Sequence, residues 1–228
     1  MTWPVYLSLI ISILVTGWLC YSAFWSLPRE ARRRLRDSLR AVSHAVECRA
    51  NHRLGRSEDI AALALAIGHR LKLSRRKLIR LEMAAYLRDL GLTAIPYSII
   101  NTPPEERTPA EQATYDTHTE RGAGMVALIP SLRSVSTLVR DLDAWWDGSK
   151  GPHLPKAIAI PIEARILAAA AEFGETAAQY GQERAIERLA ERRGTQFDPM
   201  VVDLLLELEG PFGLEEEPVR TGTHAGRY

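Results

Sequence analysis

The chain opens on an unbroken apolar stretch, WPVYLSLIISILVTGWLCYSAFW from Trp3 to Trp25, with no Asp, Glu, Lys or Arg in it. A helix needs about 20 predominantly apolar residues to cross the hydrocarbon layer, so this run predicts a single transmembrane helix over 1–27. Trp3 and Tyr6 at one end, with Tyr21 and Trp25 at the other, stand where amphipathic rings favour the two interfaces. A cleaved signal peptide would need a basic leading region, a shorter apolar core and a small-residue cleavage site; the run has none of these.

Past Ser26 the pattern changes. The segment PREARRRLRDSLR sets Arg29, Arg32, Arg33, Arg34, Arg36 and Arg40 against Glu30 and Asp37, which reads as a basic juxtamembrane helix over 28–43. Positive flanks stay inside, so the expected topology is a single-pass protein of the inner (cytoplasmic) membrane, N-terminus out and domain in the cytoplasm. The same arginines suit anionic head groups, which makes the lipid bilayer the first expected partner.

Over 44–210 the apolar positions recur with a helical beat and no alternating run suggests a strand. Ile60, Leu63, Ala64, Ile67 and Leu71 share one face; Ser74 opens a second stretch through Leu78, Leu81 and Ala85. Thr108-Pro109-Ala110-Glu111 joins a cap residue, a proline at the first helical position and the returning carboxylate of a capping box. Pro161 starts a helix through Ile166, Ala169, Ala170 and Phe173, Gly194 stops another, and Asp198-Pro199 begins the last. The expected fold class is all-α: one N-terminal transmembrane helix followed by a helical bundle. Residues 211–228 lack periodicity and read as a flexible tail.

Composition narrows the classes. Of 228 residues, 46% are hydrophobic, enough for one helical core, and a net charge of +1 carries no nucleic-acid signature. The two cysteines, Cys20 and Cys48, lie in unlike contexts and fit a reducing compartment rather than a disulfide framework.

Several phrases follow one another in a telling order: AVECRANHRLGRSEDIA, YLRDLGLTAIPYSIIN, THTERGAGMV, WWDGSKGP, IPIEARILAAAAEF and RRGTQFDPMVVDLLLEL. Over about 165 residues this resembles the HD-GYP branch of the HD phosphohydrolase superfamily, whose characterised members are helical, metal-dependent phosphodiesterases acting on cyclic di-GMP. The resemblance implies an HD-domain-like bundle with two or three metal ions held by imidazoles and carboxylates, manganese, iron or zinc being the candidates.

At the positions that would hold those ions the chain departs from the pattern. The first helix's histidine is matched by Arg56, the His-Asp pair by Arg88-Asp89, and the lysine three residues on by Leu92. Two adjacent histidines are replaced by Leu142-Asp143, and the late aspartate aligns with Ala171, one residue before Glu172. Asp89 and His118 are the ligand positions that keep their residue type. A guanidinium cannot ligate a metal, so no catalytic residue and no bound metal are expected. Arg56, Arg88 and Lys150 are candidates for pairing with phosphate.

Simpler readings stand beside these. Asp89, four residues after Ala85 on the inward face, suits a helix-end hydrogen bond as well as a metal. His118, ahead of Gly122 and Met125, suits a packed core. Asp147-Gly148-Ser149 suits a structural turn, and His52 and His153 suit solvated connections. Three functions remain open: an inactive, membrane-tethered regulator binding a protein partner, a second copy of itself as a homo-oligomer, or cyclic di-GMP; a phosphodiesterase with unorthodox ligands among Asp89, His118, Asp143, Asp141 and Glu172; and an accessory subunit of a larger membrane assembly, its span packed through Ser8, Ser12, Thr16 and Gly17.

Overall fold

The computed structural model describes residues 3–23, 27–50 and 53–209; the expectations for Trp25, His52 and the tail from 211 fall outside them. Eleven α-helices lie among the described residues: α1 (Trp3–Tyr21), α2 (Leu27–Arg49), α3 (Arg56–Arg70), α4 (Arg75–Leu87), α5 (Tyr97–Asn101), α6 (Pro109–Asp116), α7 (His118–Ala127), α8 (Arg133–Arg140), α9 (Ile162–Tyr180), α10 (Gln182–Glu191) and α11 (Pro199–Glu209). They contain no strand, only an isolated bridge between Arg193 and Phe197. The all-α expectation holds.

Among the described residues no helix is long and apolar enough to cross a membrane. The transmembrane reading of 1–27 therefore gains no support from the structure. The helix α1 covers 19 residues, about 28 Å at 1.5 Å each. Pro4, Ser8, Ser12, Thr16 and Gly17 interrupt its apolar run. Its large side chains are nonetheless exposed, among them Leu9, Ile13, Leu14 and Trp18.

The chain divides into two compact units, one of Met1–Glu58 with Met83–Val139 and the other of Asp59–Glu82 with Arg140–Tyr228. In the first, α2 is continuous across the boundary expected near residue 44. Leu39, Ser43, Val46, Glu47 and Ala50 are buried along one of its faces, so its second half belongs to the fold. Val46 and Ala50 join Leu92, Ile95, Ile99 and Ile100 in one apolar cluster, edged by Leu90 and Tyr115. Leu92, where the resemblance expects a lysine, is thus a core residue, and full burial of such a side chain stabilises by about 1.5–3 kcal/mol.

The 3₁₀ turn Leu90–Ala94 packs against α7 so closely that a Cβ on Gly91 would lie 1.8 Å from the backbone oxygen of His118. Only glycine fits there. The start of α6 is the expected capping box: Glu111 N donates to Thr108 Oγ1 while Thr108 N donates to Glu111.

In the second unit, α9 is the central element, packed against α10 and α11. Ile166, Leu167 and Phe173 of α9 are buried, as are Leu189 of α10 and Val201 and Leu205 of α11. Buried acids hold the unit together through arginines. Glu163 pairs with Arg80, and Asp198 accepts from Arg165 at 2.5 Å and from Met200 N at 2.9 Å.

Candidate functional site

In the first unit, three of the residues singled out in the sequence converge. Arg88, the last residue before Asp89 at the end of α4, is 2% exposed. Its Nη2 lies 2.9 Å from Asp89 Oδ2, and Arg56 Nη2, at the start of α3, lies 3.5 Å from the same oxygen. Asp89 is therefore set against two guanidinium groups. Both arginines make further interactions, as does Asp89.

His118 opens α7, which packs on the turn immediately after Asp89. Its Nδ1 lies 2.8 Å from the backbone oxygen of Tyr115, and its ring tilts against that of Tyr115 at 4.9 Å between centroids. A carbonyl can only accept, so Nδ1 is the donor, which in the neutral ring leaves the lone pair on Nε2. That orientation is shared by ligating histidines and by packed ones.

This donor set does not fit a metal ion. Two of the matched positions offer cationic nitrogens without lone pairs, and the carboxylate they face is already neutralised. Among the described residues, no group of three or more His, Cys, Asp or Glu side chains is arranged to hold one.

The remaining positions belong to the second unit. Leu142 and Asp143 are half-buried in the 3₁₀ turn Asp141–Asp143, Asp143 with interactions of its own. Asp141 is buried and accepts from Arg140 Nε at 2.9 Å, which raises the Arg140 pKa. Ala171 is buried in α9. Glu172 is taken by Arg188, with Arg192 Nη1 at 3.7 Å. Two of the substitute carboxylates, Asp141 and Glu172, are thus engaged by arginine.

Lys150 is exposed in a loop stitched to the rest of the unit by Trp146 N to Gln196 O at 3.1 Å and Asp147 N to Thr195 O at 3.0 Å. Ser149 N donates to Asp147 Oδ1 at 2.8 Å, and that bond holds the Asp147 carboxyl below its ordinary value. Gly148, at φ +81°, takes the backbone conformation this turn needs. His153 is exposed.

One arrangement beside Arg56 was not read from the sequence. Arg40 of α2 donates to Glu58 of α3 through Nε at 3.0 Å and Nη2 at 2.5 Å, and His44 Nε2 lies 2.9 Å from the same carboxylate. Glu47, 1% exposed, accepts from Gly55 N at 2.9 Å and Ser57 N at 2.7 Å, satisfying amides at the start of α3. The available signal was the spacing of Leu39, Ser43, Val46 and Ala50, which marks α2 as packed on one face beyond residue 43.

Comparison with known proteins agrees with this geometry in part. A profile of the HD domain matches residues 40–201. The chain is 29% identical over 176 residues to the 3'3'-cGAMP-specific phosphodiesterase 2 of Vibrio cholerae, covering 73% of this chain and 33% of that protein. It is 30% identical over 185 residues to the cyclic di-GMP phosphodiesterase response regulator RpfG of Xanthomonas campestris, covering 78% and 49%. In fold it is similar to a crystal structure of a cyclic GMP-AMP specific phosphodiesterase of V. cholerae, with a TM-score of 0.62 and 22% identity over 78% of this chain and 50% of that one. An HDG"Y"P protein from Bdellovibrio bacteriovorus gives a TM-score of 0.58 at 18% identity, over 67% and 51%. The chain spans between a third and a half of the length of the curated proteins that match most of it.

Proposed function

The chain belongs to the HD domain family, and from that premise we propose that it is a non-hydrolysing, membrane-anchored member that regulates by binding a cyclic dinucleotide such as cyclic di-GMP. The relatives that cleave cyclic di-GMP or cGAMP supply the ligand class. The observation that carries the loss of hydrolysis is Arg88, buried with its Nη2 2.9 Å from Asp89 at a place where metal chemistry needs a neutral donor. A fixed cation there opposes a metal ion and favours an anion.

Phosphate recognition then falls to Arg56, whose side chain keeps 16% exposure and whose contact to Asp89 is the longer of the two, at 3.5 Å. A partly exposed guanidinium can also pair with a phosphate oxygen, since its planar fork matches the paired acceptors of phosphate. Arg88 stays behind it, fixing Asp89. Side chains of this unit therefore bind and orient, with no proton or nucleophile to deliver.

Anchoring rests on α1. A charge-free helix with exposed Leu9, Ile13, Leu14 and Trp18 has no aqueous reason to stand free, and the exposed Arg33, Arg34 and Arg36 on α2 suit anionic lipid. The proposed arrangement is N-terminus out and domain in the cytoplasm, at the inner membrane.

The test is a titration of the full chain in lipid nanodiscs with cyclic di-GMP, with and without manganese, followed by analysis for cleaved product. Metal-independent binding without product supports the proposal. Manganese-dependent cleavage would make the chain an enzyme and overturn it, and absence of binding would leave a scaffold instead.

A further inference from the structure

Helix α2 touches both sides of the Arg56–Asp89 contact. On the Arg56 side, Glu47 accepts from the amides of Gly55 and Ser57, and Arg40 and His44 hold Glu58. Arg56 lies between these anchored residues. On the Asp89 side, Val46 and Ala50 pack in the cluster of Leu92 and Ile95, while Arg49 Nη2 donates to Ile95 O at 2.8 Å. The turn carrying Leu92 begins directly after Asp89, whose backbone oxygen accepts from Leu92 N at 2.9 Å.

The same helix is one hydrogen-bonded rod from Leu27 to Arg49, about 34 Å long at 1.5 Å per residue. Its first half is basic and carries the exposed Arg33, Arg34 and Arg36; its second half holds Glu47 and the apolar cluster residues. The two halves share one continuous helix, so the basic end and Glu47 belong to the same rigid element. Glu47 is not free to lag, since its carboxylate is buried and bonded to two amides that would otherwise be orphaned.

We infer that α2 is the positioning element for Arg56: by clasping the first turn of α3 and packing under the turn after Asp89, it sets the spacing of the Arg56–Asp89 contact. Glu47 and Glu58 are positioning residues that act through Arg56 and do not touch the ligand. The inference rests on the proposed binding role of Arg56, which is tested separately.

The experiment compares the full chain with Glu58→Gln, in nanodiscs, by calorimetric titration with cyclic di-GMP well below the thermal midpoint. Asp203→Asn is the control; it breaks an exposed bidentate pair with Arg193 in the other unit. Loosening of Arg56 is expected to weaken binding about tenfold, roughly one charge-assisted hydrogen bond, whereas the control binds as wild type. Wild-type affinity in Glu58→Gln would overturn the inference.

If the unaltered chain binds no cyclic di-GMP, the proposed function falls and the coupling is read without ligand. A double-mutant cycle on chemical unfolding between Glu58→Gln and Asp89→Asn then decides. Non-additive losses show the clasp and the site contact to be one unit, and strict additivity overturns their coupling.

Discussion

Arg88 Nη2 lies 2.9 Å from Oδ2 of Asp89, with the guanidinium sealed from solvent at 2% exposure and the carboxylate left partly open at 15%. The pair is asymmetric, and the asymmetry sets what each half is worth. Arg88→Ala removes the buried cation, opens space beside Asp89 and takes away the nearer of the two arginines that face that carboxylate. A loss of about 3 kcal/mol is expected, near the lower end for breaking a buried pair. Urea denaturation of the full chain checks it; an unchanged midpoint would show that the ion pair stabilises nothing.

Gly91 gives a sharper test of the packing. A Cβ at this position would sit 1.8 Å from the backbone oxygen of His118 and 2.7 Å from Gly122 N. Backbone cannot yield as a flexible side chain does, so Gly91→Ala should cost about 3 kcal/mol or more. Thermal melts of Gly91→Ala and Gly124→Ala separate the cases, since the second position has open space around it.

Metal should not stabilise the fold. A ligand that binds only the native state raises the melting point by mass action. With the Asp89 carboxylate facing two arginines, manganese or zinc at about 100 times a micromolar concentration of protein should leave the midpoint where it is. A rise of several degrees would mean that other residues provide a cation site.

Acid should release the clasp on α3. The hydrogen bond from Arg40 is the main reason that the Glu58 carboxyl is held below its ordinary value. Its contribution is therefore complete above the usual glutamate pKa of about 4.3 and fades as pH falls through the lower native value. The stability gap between wild type and Glu58→Gln should shrink as pH falls below about 4.3. A constant gap would point to packing in place of charge.

The cysteines report sidedness. Cys48 is exposed on α2 and Cys20 on α1. In intact cells a membrane-impermeant maleimide should leave Cys48 unmodified until the inner membrane is opened. Labelling of Cys48 from outside would reverse the proposed orientation.

Local signals were readable in the sequence because their physics is local. Thr108, Pro109 and Glu111 make their capping box within one turn, and Pro161 and Pro199 sit at helix starts for reasons confined to their own backbones. Partner choice was not readable. Arg80 and Glu163, or Arg165 and Asp198, meet across 83 and 33 residues of chain, and no spacing rule selects one arginine over another. Leu92 was recognised as a departure, but only the apolar cluster around it shows that the position now serves packing. The role of α2 was missed for a related reason. Its arginines dominate the composition of 28–43 and mask the buried stripe that begins at Leu39 and continues beyond them to Ala50.

The buried carboxylate of Glu47 has a practical consequence for anyone who trims this protein. Cutting at residue 44 to shed the apolar leader would keep Glu47 and discard Arg40 and the buried Leu39, leaving a short frayed helix to support the start of α3. A fragment that begins near residue 30 would preserve that support and still be free of the apolar first helix. Recombinant work should place its first codon there, or attribute any lost binding to the cut before attributing it to the site.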